Sequence, residues 1–489
     1  MPIRALKKAA RFALGEGGSV KARVVRSGMW VGLSEASLSM LGLVRSVVLA
    51  RLLTPDIFGL MGIAMVVVRA METFTRPGIA QALIARQNDF EVASGTAFSM
   101  LVARGFLQAA LLAAAAPWIG DFYDSQQLPL MLQVLAGAFI LSGFRNINLI
   151  ARQRELEFRR LTYLAQVANI SGTLITIGAA WWLRSVWALV IGQLVTATLN
   201  AVLSYVFVPG RPRFEFDRAV ARDLIRYGKF ITGSSILLYV ATEIDSAVIG
   251  KVLGHAELGY YTVAFSIVHM TTTQLAKVAA NIMMPAYSKL QSDLVALRKA
   301  YLRTLQLVLF AVLPASLGLV LVAHPLIDVV YGEKWLPAAV PLQLLAVFGL
   351  FRSLAAFTGY LFEGMGQPKI AFIQGAVRLA VLLPLIVPAT MYYGLEGAAV
   401  VVTIGMATQW IVGLIYLYKR LDVGISDMAR SMWQPVWTAA IMGGAAWGML
   451  QAVNANRVGG LLATMAVAAV AYLLPNLKML LALKNGSRA

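Results

Sequence analysis

The sequence predicts an all-α polytopic membrane protein, on three observations. Of 489 residues 59% are apolar and 13% charged. The apolar residues fall in long runs, such as Leu128–Phe144, Leu161–Trp182 and Leu461–Leu474, where a bilayer crossing needs ~20 mostly apolar residues. Ten-residue alternating strands are absent from the chain, and lipid admits only helices or closed barrels, because exposed backbone groups find no partner there.

Fourteen spans are expected, roughly 27–50, 59–86, 93–118, 128–150, 161–182, 186–208, 228–250, 259–284, 303–323, 338–362, 368–391, 397–418, 434–452 and 457–476. The second and eighth are long, which implies tilt or a break. In the second the break belongs at Pro77-Gly78. Outer loops are short, the longest being about His324–Pro337. Before the first span, 1–26 is basic, with Ile3, Leu6, Ala10 and Leu14 spaced for an amphipathic helix on the inner leaflet. A cleavable signal peptide is not expected, since the first span is too long and many follow.

The cations set the orientation. Of 42 Lys and Arg residues, 29 fall in the N-terminus, the C-terminal tail and the loops after even-numbered spans, five in the opposite loops and eight inside spans. The positive-inside rule then puts both termini in the cytoplasm. The net charge of +19 thus reflects topology and calls for no nucleic acid. Cysteine is absent and the histidines His255, His269 and His324 are scattered, so no metal site or cofactor is expected.

A shift of 200 residues aligns Arg51–Gly59 with Lys251–Gly259, matching Ser46 to Ser246, Val48 to Val248, Leu53 to Leu253, Gly59 to Gly259 and Ala64 to Ala264. Both hairpins start on the same side, so the repeat is of the parallel kind, two six-span halves about the membrane normal. The organisation expected is an N-lobe 27–208, a basic linker 209–229 with Pro209, Gly210 and Pro212, a C-lobe 230–418, two extra spans in 419–476 and a tail 477–489. Two matched halves form an alternating-access machine with the substrate between them.

Ionisable residues inside spans by default face protein or a wet cavity. Counted from span ends, Arg69, Arg104, Arg352 and Arg378 lie near mid-membrane. Arg45 sits at the outer end, and Arg76, Arg145 and Lys277 toward the inner end, within reach of snorkelling. Arg69, Glu72 and Arg76 share one helical face. The excess of cations over Glu35, Glu72, Glu243 and Asp245 suits an anion, and the guanidinium fork suits phosphate. Glu243 and Asp245 cannot share a face; the acid that looks inward either binds a proton or Na⁺ or pairs with a cation across the lobes. Pro77-Gly78, Pro314 and Pro384 are candidate bend points. No phosphate-binding Gly-x-x-x-x-Gly-Lys-Ser/Thr motif occurs, and Asp56, Asp121 and Asp124 read as turn or cap residues, so an enzyme is not expected.

Several segments, in order, are familiar: Ala50-Arg-Leu-Leu-Thr-Pro-Asp-Ile-Phe-Gly59, Pro77-Gly-Ile-Ala-Gln-Ala-Leu-Ile84, Phe122-Tyr123 and Arg152-Gln-Arg-Glu-Leu-Glu-Phe158. Tyr331-Gly-Glu-Lys-Trp-Leu-Pro-Ala-Ala339 and Gly364-Met-Gly-Gln-Pro-Lys369 extend the set. Together they resemble the polysaccharide transporters, the Wzx-type flippase branch of the multidrug/oligosaccharidyl-lipid/polysaccharide (MOP) exporter superfamily. The resemblance implies translocation of an undecaprenyl-pyrophosphate-linked oligosaccharide across the bacterial cytoplasmic membrane, for exopolysaccharide, capsule or lipopolysaccharide assembly. It implies a glycan polymerase and a chain-length regulator as partners. On that reading Arg69, Arg76, Arg104, Arg352 and Arg378 include the pyrophosphate-binding set, while Glu72, Glu243 and Asp245 serve ion coupling or pairing. A cation-coupled multidrug exporter and a peptidoglycan-precursor flippase are the alternatives on the same architecture.

Overall fold

A computed structural model of the chain describes residues 20–75, 78–85, 90–155, 157–273, 283–284, 286–453 and 457–486. The helices of the first half are α1 (Val20–Leu52), α2 (Pro55–Phe74), α3 (Ile79–Ala85), α4 (Phe90–Phe122), α5 (Leu128–Gly143), α6 (Asn148–Arg154), α7 (Phe158–Leu183), α8 (Trp187–Phe207) and α9 (Arg218–Val252). Those of the second half are α10 (His255–Val268), α11 (Leu294–Leu326), α12 (Ala339–Gly364), α13 (Pro368–Leu421), α14 (Ile425–Ala452) and α15 (Val458–Gly486). The protein is an all-helical polytopic membrane protein. Among the described residues eight helices are long and apolar enough to cross a membrane, nine when α5 and α6, bent by 60°, count as one. Most of the 1–26 segment, with Arg76, Pro77 and Lys277, lies outside the described residues.

The described chain divides into two compact units. Unit 1 holds Leu60–Glu243 with the chain before Thr54, and unit 2 holds Ile244–Ala489 with Thr54–Gly59. In unit 1, α4 packs on α5, α5 on α8, α7 on α8, and α1 on α7. Glycines set the α4–α5 spacing: a Cβ at Gly105 would lie 2.6 Å from the Phe139 carbonyl oxygen, and one at Gly143 would lie 2.8 Å from that of Leu101. Small residues let helix backbones approach closely where lipid offers no hydrophobic drive for association. Ile79, Leu83, Ala97, Phe98, Ile147 and Leu224 form a core at one end of this unit.

In unit 2, α11 packs on α12 and α14, α12 on α13, and α14 on α15. Leu297, Tyr301, Leu305, Leu361, Phe362 and Leu417 belong to one core cluster there. α13 is two helices joined at Gly394, whose φ of 59° and ψ of −144° lie where a side chain would clash. Pro384 lies earlier in the same helix and Pro314 lies inside α11. Gly78, between α2 and α3, also has positive φ, 59°.

Two stretches differ from the sequence expectation. The outer loop expected about 324–337 is folded: α11 runs to Leu326, a π turn covers Ile327–Tyr331 and a 3-10 turn Glu333–Ala338. Fully buried Trp335 organises it, with ring centroids 5.0 Å from Phe58, 6.1 Å from Tyr260 and 6.5 Å from Tyr331. Such tertiary contacts leave no mark in local hydropathy. The basic segment 209–229 is helical from Arg218. Asp217 caps it, its Oδ1 accepting from the Ala219 and Val220 backbone N–H groups at 2.7 and 3.2 Å.

The repeat-related glycines meet reciprocally within unit 2. A Cβ at Gly59 would fall inside the His255 carbonyl, and one at Gly259 inside the Pro55 carbonyl. Positions 55 and 255 are separated by the same shift as 59 and 259. The contact is therefore self-complementary, as at an isologous interface.

Outside the expected span 434–452, Arg298 bonds Asp427 in the first turn of α14, with Asp422 at 3.8 Å. The Gly424 backbone N–H, and after it Arg298, hold the Asp427 carboxyl below the usual aspartate range. Its contribution to stability is therefore complete above the ordinary aspartate pKa and lost as pH falls through the lowered value. Melting curves between pH 7 and 3 should show Asp427→Asn losing less on acidification than the parent protein. Equal losses would mean that this carboxylate is not linked to folding.

Candidate functional site

Four helices of unit 2 bring ionisable groups together inside apolar surroundings. Asp245 on α9 is 5% exposed and accepts a 2.6 Å hydrogen bond from the Tyr261 hydroxyl of α10. Its Oδ1 also accepts from the Ser246 backbone N–H at 2.8 Å. Arg378 on α13 is buried and, with Arg352 on α12, lies within electrostatic reach of Asp245 and Tyr261. The Arg352 guanidinium carbon stands 5.9 Å from the Phe265 ring centroid and 5.8 Å from that of Phe348. Aromatic faces stabilise a cation where water is scarce. Gly405 packs beside Arg378, and a Cβ there would make an ordinary contact with the Arg378 Cγ at 3.5 Å. Among the described residues, two guanidiniums thus stand within electrostatic reach of one carboxylate. That surplus suits a bound anion.

In unit 1 the arginines have other neighbours. Arg69 pairs with Glu243 of α9, Nη2 to Oε2 at 2.9 Å. This tie between α2 and α9 is reinforced by the Tyr239 hydroxyl donating to the Val66 carbonyl at 2.6 Å and by Phe74 edge-on to Tyr239 at 5.5 Å. Arg104 donates from Nη2 to the Glu72 carbonyl at 3.0 Å, and Gln108 donates to the Met71 carbonyl and the Thr75 hydroxyl at 3.3 and 2.7 Å. α2 ends at Phe74, and the last carbonyls of a helix lack partners within it. α4 thus supplies donors, and a positive charge, to the end of a broken helix.

Of the acids expected to look inward, Asp245 is buried and Glu243 is engaged by Arg69. Glu72 meets Arg104 through its backbone carbonyl. Asp56 sits in the first turn of α2, and Asp124 takes a turn conformation at φ 51°. Sequence reasoning missed Tyr261, Phe265 and Phe348. Their only signal is a polar or aromatic residue on a helix adjoining a charged one, which means little until the helices are paired.

Comparison with known proteins agrees with this architecture. The chain is 26% identical over 426 residues to the lipopolysaccharide biosynthesis protein WzxC of Escherichia coli, covering 86% of each chain. Its fold is similar to that of the lipid II flippase MurJ in an inward closed conformation, with a TM-score of 0.76 at 14% identity, over 90% of this chain and 96% of MurJ. It is also similar to an inward-facing multidrug resistance MATE transporter of the MOP superfamily, with a TM-score of 0.62 at 16% identity, over 84% of this chain and 97% of the other. The match to the polysaccharide biosynthesis protein family runs over residues 48–340, more than half of the chain. The protein therefore belongs to the polysaccharide biosynthesis protein family, and its fold is similar to those of the lipid II flippase MurJ and the MATE transporter.

Proposed function

We propose that the protein carries polyprenyl-diphosphate-linked oligosaccharide repeat units from the inner to the outer leaflet of a bacterial cytoplasmic membrane, by alternating access. The observation that carries this reading is the pair Arg352 and Arg378 set into apolar helices beside a single acid, Asp245. A diphosphate cannot enter hydrocarbon without donors to replace its water. Guanidiniums supply them in a fork matched to phosphate oxygens. In unit 1, Arg69, Arg76 and Arg104 are separate candidates for contact with the diphosphate, with Arg69 sharing its charge with Glu243. Asp245 and Tyr261 hold the cations in place in the absence of substrate. With the cell interior negative, net negative charge moves outward downhill by ~2.3 kcal/mol per charge per 100 mV. Fourteen spans, arranged as two six-helix lobes plus two C-terminal helices with both termini cytoplasmic, complete the proposed architecture. A glycan polymerase and a chain-length regulator would receive the product.

The test uses a strain lacking the gene, with the leaflet of the lipid-linked glycan read by a membrane-impermeant glycan-modifying reagent. Glycan is expected to accumulate facing the cytoplasm. Arg352→Ala or Arg378→Ala, inserted at normal levels, should restore less than a tenth of the outward exposure given by the parent gene. Normal exposure in the deletion strain, with only drug sensitivity altered, would overturn the reading in favour of a multidrug exporter.

A further inference from the structure

Two breaks in unit 1 lie beside one cavity. α2 ends at Phe74 and α3 starts at Ile79, while α5 gives way to α6 through a 60° bend. Between them is a cavity of about 480 Å³ whose lining includes Gly78, Gln81, Arg104, Ser142 and Arg145. The close α4–α5 contact brings the two arginines together, because Arg104 adjoins Gly105 and Arg145 follows Gly143. By the pairing of Gly143 with Leu101, Arg104 lies three residues along α4, ~4.5 Å at 1.5 Å per residue, from the level where α5 ends, and Arg145 follows two residues into the bend. Two flexible side chains at that offset span neighbouring phosphate oxygens.

The charge balance favours an anion. Among the described residues no carboxylate lines the cavity and Arg145 has no acidic partner. The bend is also built rigidly. Buried Asn146 donates from Nδ2 to the Val208 and Gly210 carbonyls at 3.2 and 3.0 Å, and its backbone N–H donates to the Ser204 hydroxyl at 2.9 Å. Beside the polar Gln81, Ser142 and Gln153, the wall carries apolar side chains, among them Ile84 at 44% exposure, Leu101, Ile147 and Leu161. A free inorganic ion has no use for that wall. A lipid does.

We infer that this cavity binds the phosphate head of a lipid, with Arg104 and Arg145 on the phosphate oxygens and the start of the lipid chain against Ile84. The inference rests on the transport reading only for which lipid is held, a polyprenyl-phosphate carrier or a membrane phospholipid. Arg145 then has a ligand-binding role, where its sequence position suggested only snorkelling.

The test is lipid retention by the full-length protein in phosphatidylcholine nanodiscs, read by native mass spectrometry. The probes are undecaprenyl phosphate, phosphatidylglycerol and inorganic phosphate. Wild type is expected to retain at least one of the two phospholipid-type probes, and Arg145→Ala to bind it at least tenfold more weakly. Arg145→Lys should keep most of the affinity, and Ile84→Trp should weaken lipid binding while both variants stay monodisperse. Retention of undecaprenyl phosphate over phosphatidylglycerol assigns the site to the carrier, and the reverse order assigns it to bulk lipid. Unchanged lipid binding in Arg145→Ala, or binding of inorganic phosphate as tight as that of the lipids, overturns the inference. Retention is read without transport, so failure of the flippase reading in cells would leave this result standing on its own.

Discussion

Asp245→Ala is expected to destabilise the protein by about 3–5 kcal/mol, the usual cost of removing one partner from a buried charge group. The carboxylate is 5% exposed and is the acid in electrostatic reach of both Arg352 and Arg378. Its removal leaves two guanidiniums facing each other in apolar surroundings, with the Tyr261 hydroxyl also deprived of its acceptor. Tyr261→Phe removes only a hydrogen bond to a charged group, so its expected cost is about 1.5–3 kcal/mol. Asp245→Asn keeps the shape and should fall between the two. Thermal unfolding of the detergent-solubilised protein ranks the three. If phosphate-bearing lipid is present and Arg352 and Arg378 bind it, the loss in Asp245→Ala should shrink, because a bound anion replaces the missing charge. An Asp245→Ala protein as stable as wild type would show that the cations are compensated elsewhere.

The second large effect is expected at the reciprocal glycines. Gly59→Leu and Gly259→Leu each drive a side chain into a main-chain carbonyl, of His255 and Pro55 respectively. Backbone cannot rotate away as a side chain can, so the cost should reach or exceed the ~1–3 kcal/mol of ordinary overpacking. Since the two contacts mirror each other, the single variants should lose similar stability. The double variant should lose clearly less than their sum, because one separation of the helices relieves both clashes. Additive losses would show that the two glycines do not share a contact.

The sequence revealed the helices well and their partners poorly. The fourteen expected spans overlap helices, because a run of apolar residues is a local property, but among the described residues only eight helices, or nine with the bent α5–α6 pair, are long and apolar enough to cross a membrane. The break near Gly78 was also legible, through Pro77-Gly78. The Gly394 break was visible only as a short gap between the eleventh and twelfth spans. The charged residues were placed by depth, and depth says nothing of azimuth. Arg69 and Glu72 lie one turn apart, yet the acid bonded to Arg69 comes from Glu243, far along the chain. Glu243 and Asp245 were expected on different faces, and they do face different neighbours, Arg69 and Tyr261. What helical spacing could not provide was which helix stands opposite. Arg145 illustrates the same gap: its place in a cavity depends on Gly105 and Gly143 drawing α4 and α5 together.

The break at Gly394 bears on how the ribosome and the insertion machinery must handle this chain. Pro368–Leu421 is continuous helix on either side of that residue, with a mean hydropathy of 2.2 in its most apolar window and no loop between its arms. A nascent chain that releases the first arm into lipid has no polar tether left on which to pause before the second emerges. Both arms are best committed together as a preformed hairpin. The material at its apex is then small, with exposed Tyr392 and Tyr393 as amphipathic rings suited to the headgroup region. The two arms are therefore expected to enter the membrane as one unit, which truncation of the nascent chain at Gly394 should reveal as a first arm that fails to integrate stably.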